Sequence, residues 1–172
     1  MDGKSVRLSG RLDPRDRWSA EACSIARALE TVSTRSAFLI LREAFYGTAR
    51  FDEFVRRAGI SEQVAATRLR QLVERGLLER EPYREEGQRT RHGYRLTAKG
   101  AGLFPVLVGL MQWGDRWRDD AGGPVELVHR DCGAHVGARL RCAAGHDVAP
   151  ADLVLAPTLA AEAGGHGTPR GS

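Results

Sequence analysis

Three side chains, Gln63, Thr67 and Arg70, recur at i, i+4 and i+7, a spacing that puts them on one face of a helix. Their chemistry suits the edges of nucleic-acid bases. A glutamine amide can pair with adenine, an arginine fork with guanine, and a threonine can donate to a phosphate or touch a thymine methyl. Ser61 stands at the start of the same segment, where a helix leaves free backbone N–H groups that can hold a phosphate. Ala65, Leu69 and Leu72 fall on the opposite side, so the segment predicts one buried and one contact-capable face. Arg68 lies nearer the buried side and reads as structural.

A second cluster is basic. Residues 82–92 carry Arg84, Arg89 and Arg91 with His92, against Glu85 and Glu86. A loop of this kind would lie along a phosphate backbone, each arginine neutralising one phosphate. The third set is sulfur and imidazole. Cys23 opens a helix and precedes Arg27 by one turn, a setting that favours a reactive thiolate, although a lone cysteine on an amphipathic helix also serves as a small buried hydrophobe. His129-x2-Cys132 and Cys142-x3-His146 form two local pairs of the kind that tetrahedral zinc takes, against the alternative of a metal-free β module. Zinc is the one candidate cofactor, and the sequence requires none. Phosphate loops, G-x-S-x-G elbows and H-E-x-x-H helices are absent from the sequence, so an enzyme is not expected.

The elements that must position these groups follow from periodicity and punctuation. A helix is predicted over 20–32, capped by Ser19 and carrying Ile25, Leu29 and Val32 at helical spacing. An apolar, buried helix follows over 36–46, then a short one over 51–58 closed by Gly59, and the capped helix 62–75 closed by Gly76. The tight Gly59-Ile60-Ser61 connection gives the pair a helix-turn-helix form. Strands are predicted at 77–81 and 93–96 around the polar loop 82–92, and a long helix over 98–119 with packing or a bend at Gly100, Gly102 and Gly109. After the Ala121-Gly-Gly-Pro124 break, short strands are expected at 125–128, 138–141 and 148–155. The domain plan is a flexible arm (1–18), a winged helix-turn-helix (19–120), a small β-rich appendage (121–155) and a disordered tail (156–172). The fold class is thus mainly α with a β-hairpin wing.

Composition agrees with a globular chain of 172 residues, 42% hydrophobic and 28% charged. The polar N-terminus lacks a secretory apolar stretch, and the longest apolar run, 104–111, is too short to span a membrane, so a cytoplasmic protein without membrane contact is expected. Three cysteines argue against a disulfide scaffold. Net charge is only +4, from 26 basic and 22 acidic residues. Its distribution is more informative: residues 35–95 hold an excess of +4 made entirely of arginine, while the flanking parts hold +1 and −1.

The order of elements and several motifs resemble the HxlR-type winged-helix transcriptional regulators, relatives of the MarR-like regulators. The motifs are Cys23-Ser-Ile-Ala-Arg-Ala-Leu29, Phe38-Leu-Ile-Leu-Arg-Glu43, Arg50-Phe-Asp-Glu-Phe54, Gly59-Ile-Ser61, Arg68-Leu-Arg-Gln-Leu72, Gly76-Leu-Leu-Glu-Arg80 and Tyr94-Arg-Leu-Thr-Ala-Lys-Gly100. The resemblance implies a homodimer joined through the first and last long helices, here by Ile25, Leu29, Leu107, Leu110, Trp113 and Trp117, bound to a double-stranded DNA operator. It also implies oxidant sensing at the position of Cys23 in some members, and a zinc-ribbon-like tail in others. Departures from the family pattern are Cys23-Ser24 for Cys-Pro, Ser33-Thr-Arg-Ser36 for a Trp-containing turn, and Glu62-Gln63 for Pro-Arg, so operator preference does not carry over. A small-molecule pocket near Phe104 and Trp113 is a further expectation. The alternative is a winged helix acting through its C-terminal appendage as a protein-interaction module without specific DNA binding.

Overall fold

The computed structural model describes residues 6–9, 23–32, 34–83, 91–117 and 122–156. The chain divides into two compact units, Ser24–Ala138 and, separately, Met1–Cys23 with Arg139–Ser172. The division falls at Ala138, not at the Gly-Gly-Pro break near residue 121.

The larger unit begins with α1 (Ser24–Val32), α2 (Arg35–Phe45), α3 (Phe51–Ala58) and α4 (Glu62–Glu74). Each boundary has a local cause. Thr34 caps α2 by accepting from the Ala37 N–H at 3.2 Å. Asp52 and Glu53 in the first turn of α3, and Arg56 and Arg57 in its last, complement the helix dipole. Gly59 ends α3 at φ +62°, a conformation other residues adopt only at a cost, and Ser61 then starts α4 by accepting from the Val64 N–H at 3.4 Å. Residues 19–22, with the expected Ser19 cap, lie outside the described residues.

The core is built where these helices meet. Ile40 and Leu41 of α2, Phe54 of α3, and Leu69 and Leu72 of α4 are buried together with Leu77 and Leu78. Full burial of each large side chain contributes about 1.5–3 kcal/mol, which is why α2, α3 and α4 are held as one body. Each of the three contacts the other two.

Strands β2 (Leu78–Tyr83) and β3 (Arg91–Leu96) form an antiparallel ribbon running from Leu78 opposite Leu96 to Tyr83 opposite Arg91. The ribbon is longer than the predicted strands, so Pro82, Arg91 and His92 belong to the ladder and not to the loop. A two-stranded ribbon has a free outer edge, which tolerates proline and needs no apolar alternation at its tip. Loop residues 84–90 lie outside the described residues.

The predicted long helix is divided into α5 (Ala98–Ala101) and α6 (Phe104–Trp117). Gly100, Gly102 and Pro105 within six positions explain the break, whereas the helix runs through Gly109 uninterrupted. Residues 122–138 then pack back on α6, where the Gln112 amide donates to Val136 O at 2.8 Å and accepts from Ala138 N–H at 2.9 Å.

The strands expected at 125–128 and 138–141 do not form as such. Single bridges join Val128 to His135 and Arg141 to Asp147. Val125, Val128 and Leu140 are exposed, so no buried face is present to sustain a ladder. Of the strand predicted over 148–155, only Val154–Leu155 (β4) forms. Its partner is β1 (Arg7–Leu8), in parallel, inside the arm expected to be irregular. Except for Ala156, the expected tail lies outside the described residues. Among the described residues no helix is long and apolar enough to cross a membrane.

Candidate nucleic-acid interface

Helix α4 carries Ala65, Leu69 and Leu72 into the core and leaves Gln63 and Arg70 exposed and Thr67 half-exposed on its other face. Arg70 lies 3.9 Å from Glu74, both about 60% exposed; a pair this open is weak, and the guanidinium is available to a stronger partner. The Ser61 hydroxyl is engaged in capping α4, so what it offers a phosphate is the helix end it organises. Val64 was not singled out by sequence. It is an exposed β-branched residue beside Gln63, off the buried stripe, and is the kind of apolar group that meets a thymine methyl.

Two neighbouring arginines hold the scaffold. Arg68 donates to Ser36 Oγ at 3.3 Å and Gln71 Oε1 at 2.7 Å, tying α4 to the start of α2, as its position nearer the buried side suggests. Arg75 reaches the last carbonyls of α1, at Glu30 and Thr31, and so caps that helix.

The β2–β3 ribbon is anchored at its base. Tyr94 donates its N–H to Ala49 O at 2.9 Å, and its ring meets Phe54 edge-on at 6.0 Å. Arg95 sits between two carboxylates, 2.8 Å from Glu79 and 3.6 Å from Glu81, so it adds no free charge to the wing. Arg84 and Arg89 lie outside the described residues, and the Arg91 backbone is paired across from Tyr83 in the ribbon.

Of the apolar residues predicted to join two copies, Ile25, Leu29, Leu110, Trp113 and Trp117 are exposed, Ile25 by 71% and Trp117 by 65%. Leu107 is the exception, half-buried against the core. Cys23, Cys132 and Cys142 are exposed free thiols, so Cys23 is not the buried hydrophobe that its amphipathic helix allowed. His129 Nδ1 lies 3.2 Å from Cys132 Sγ. That pair belongs to the larger unit and Cys142 with His146 to the smaller one. Among the described residues no group of three or more His, Cys, Asp or Glu side chains is drawn together as metal ligands.

Comparison with known proteins gives this arrangement a family. Residues 31–121 match the HxlR-like helix-turn-helix model. The chain is 47% identical over 123 residues to an HTH-type transcriptional regulator of Mycobacterium tuberculosis, Rv3095, covering 71% of this chain and 77% of that one. Among solved structures it is similar to the candidate transcription factor PA1607, with TM-score 0.71 and 35% identity over 81% of this chain and 97% of that one. It is also similar to the redox regulator HypR in its oxidized form, with TM-score 0.51 and 26% identity over 56% of this chain and 99% of HypR. The mainly α architecture with a two-stranded wing is that of a winged helix-turn-helix. The chain belongs to the HxlR family of helix-turn-helix transcriptional regulators.

Proposed function

We propose that the protein is a cytoplasmic homodimer that recognises a double-stranded DNA operator by placing α4 in the major groove. Gln63, Thr67 and Arg70 read base edges, and the N-terminal end of α4 behind Ser61 holds a phosphate. Arg84, Arg89 and Arg91 place the wing on the flanking backbone. The observation that carries this reading is the two-faced α4, apolar against the core and polar toward solvent. The dimer is formed by α1 and α6, supported by the exposed Ile25, Leu29, Leu110, Trp113 and Trp117 with a contribution from Leu107.

The test is selection of duplexes from a random pool followed by competition with non-specific DNA. A preferred sequence should emerge that competes about a thousandfold better than random duplex, with two half-sites in inverted order. No preference over random duplex would refute the reading and leave the protein-interaction alternative.

Cys23 supplies an oxidant response. Its thiol is exposed immediately before α1, and the similarity to HypR supports a redox role. Peroxide would convert the thiol to a sulfenic acid with release of water, placing a polar group at the start of a dimer helix. Operator affinity should change on peroxide treatment in the wild type and not in Cys23→Ser.

A further inference from the structure

A cavity of about 490 Å³ lies within the larger unit, between α2, α6 and the segment that follows α6. That volume is in the range of small-molecule sites. Its walls are mostly apolar, with Phe38, Phe45 and Tyr46 on one side and Phe104, Met111 and Val125 on the other. Phe45 and Phe104, both in its lining, are in ring contact at 4.8 Å between centroids.

Three charged side chains also line the cavity: Arg42, Glu43 and Asp115. Two of them neutralise each other. Arg42 donates to Glu43 Oε1 at 2.7 Å, and the other Glu43 oxygen accepts from the Thr48 hydroxyl at 3.3 Å. Asp115 is different. It is half-buried and has no ion-pair or hydrogen-bond partner among the described residues. Its carboxylate lies against Gly123, where any Cβ would collide with it, so the chain passes close over the acid without supplying a counter-charge. Among the described residues the cavity therefore carries one uncompensated negative charge beside several aromatic rings, whose faces also attract cations.

We propose that this cavity is an effector site for a lipophilic cation, an apolar or aromatic body bearing an onium or protonated amine, with Asp115 as its counter-ion. Occupancy is felt at the helix-turn-helix because Glu43, in the cavity wall, holds Thr48, whose hydroxyl accepts from Arg57 Nη1 of α3 at 2.9 Å. This second half rests on the DNA-binding reading; the first half does not.

The test uses the full chain without DNA and a pair of probes of the same shape and opposite charge, tetraphenylphosphonium and tetraphenylborate, titrated by calorimetry. The phosphonium should bind with one site per chain and about tenfold tighter than the borate, a preference of about 1.4 kcal/mol. Asp115→Asn should remove most of that preference, and Met111→Trp, which pushes a larger ring into the cavity, should weaken binding of both probes with unchanged circular dichroism. If Met111→Trp loses its helical signal, Val125→Trp, at an exposed position that also lines the cavity, takes its place. Equal binding of the two probes, or Asp115→Asn binding the phosphonium as the wild type does, would overturn the site. So would phosphonium binding that weakens in step with rising protein concentration, which would assign the groove to a second copy of the chain. A separate arm measures affinity for the selected duplex. Saturating phosphonium should change it at least about threefold in the wild type and not in Asp115→Asn. No change, with cation binding intact, would refute the coupling alone, and failure to select any duplex would refute the DNA reading while leaving the cation site standing.

Discussion

Gly100→Ala should destabilise the larger unit although alanine is the better helix former. Gly100 is buried in α5, and a Cβ there would run into the Leu77 carbonyl and lie 3.0 Å from Leu96 Cδ2. The Leu77 carbonyl cannot retreat freely. It accepts the Thr97 N–H at 3.1 Å, and the Thr97 hydroxyl, which also caps α5, reaches Gly76 O at 2.6 Å and Leu77 O at 3.3 Å. Overpacking at such a site costs about 1–3 kcal/mol, and the weakened hydrogen bonds add about 1 kcal/mol. The helix-propensity gain, about 1 kcal/mol in a long helix, is smaller in a four-residue one. The net expectation is a loss of about 2 kcal/mol. Gly109→Ala is the control: it lies inside α6, and the nearest atom to its added Cβ is Ala138 Cβ at 4.0 Å, so the same chemical change should stabilise by about 0.5–1 kcal/mol. Urea denaturation followed by Trp113 and Trp117 fluorescence reads both as shifts of midpoint at constant slope. A Gly100→Ala midpoint at or above that of the wild type would refute the packing argument, and two shifts of the same sign would refute the contrast.

On the DNA face, Gln63→Ala and Arg70→Ala should each lose about tenfold or more in affinity for the selected duplex while binding random duplex nearly as before, measured by competition anisotropy. In the wing, Arg84→Ala and Arg89→Ala, each removing one phosphate contact from both copies of the dimer, should each lower the slope of log affinity against log salt by about 1.8, whereas Arg95→Ala, already paired with Glu79 and Glu81, should leave the slope unchanged. Trp113→Glu, at a 57% exposed position on α6, should sediment as a monomer with unchanged circular dichroism; a dimer would move the interface elsewhere.

What was legible in the sequence was what local chemistry decides. Gly59, Ser61 and Gly76 mark the ends of α3 and α4 because turns and caps are satisfied within a few residues, and the Ala65, Leu69, Leu72 stripe fixes which side of α4 is buried. The pairing of Arg7–Leu8 with Val154–Leu155 was not legible, since two-residue strands carry no period and the partners stand far apart in the chain. Nor was the reach of the wing ribbon through Pro82 and Arg91, where the ladder is held by backbone bonds alone. Asp115 was equally silent, because its significance lies in the absence of a partner, and that is a property of space.

Charge is the instructive case. The excess in residues 35–95 rests on 13 arginines, but a count along the chain treats them as equal. In space Arg42, Arg57 and Arg95 face carboxylates at 2.7, 3.2 and 2.8 Å, and Arg68 and Arg75 are bound to hydroxyl, amide and carbonyl oxygens. Exposed Arg35 and Arg80 have no partner among the described residues, and Arg56 and Arg70 have only weak ones, each 3.9 Å away. The footprint open to phosphates is therefore set by these four and by the wing, and each member should contribute about 0.9 to the salt slope when it meets one phosphate. For the dimer, a measured slope near −20, which would require most of the arginines in residues 35–95 of both copies to be free, would contradict this arrangement of ion pairs.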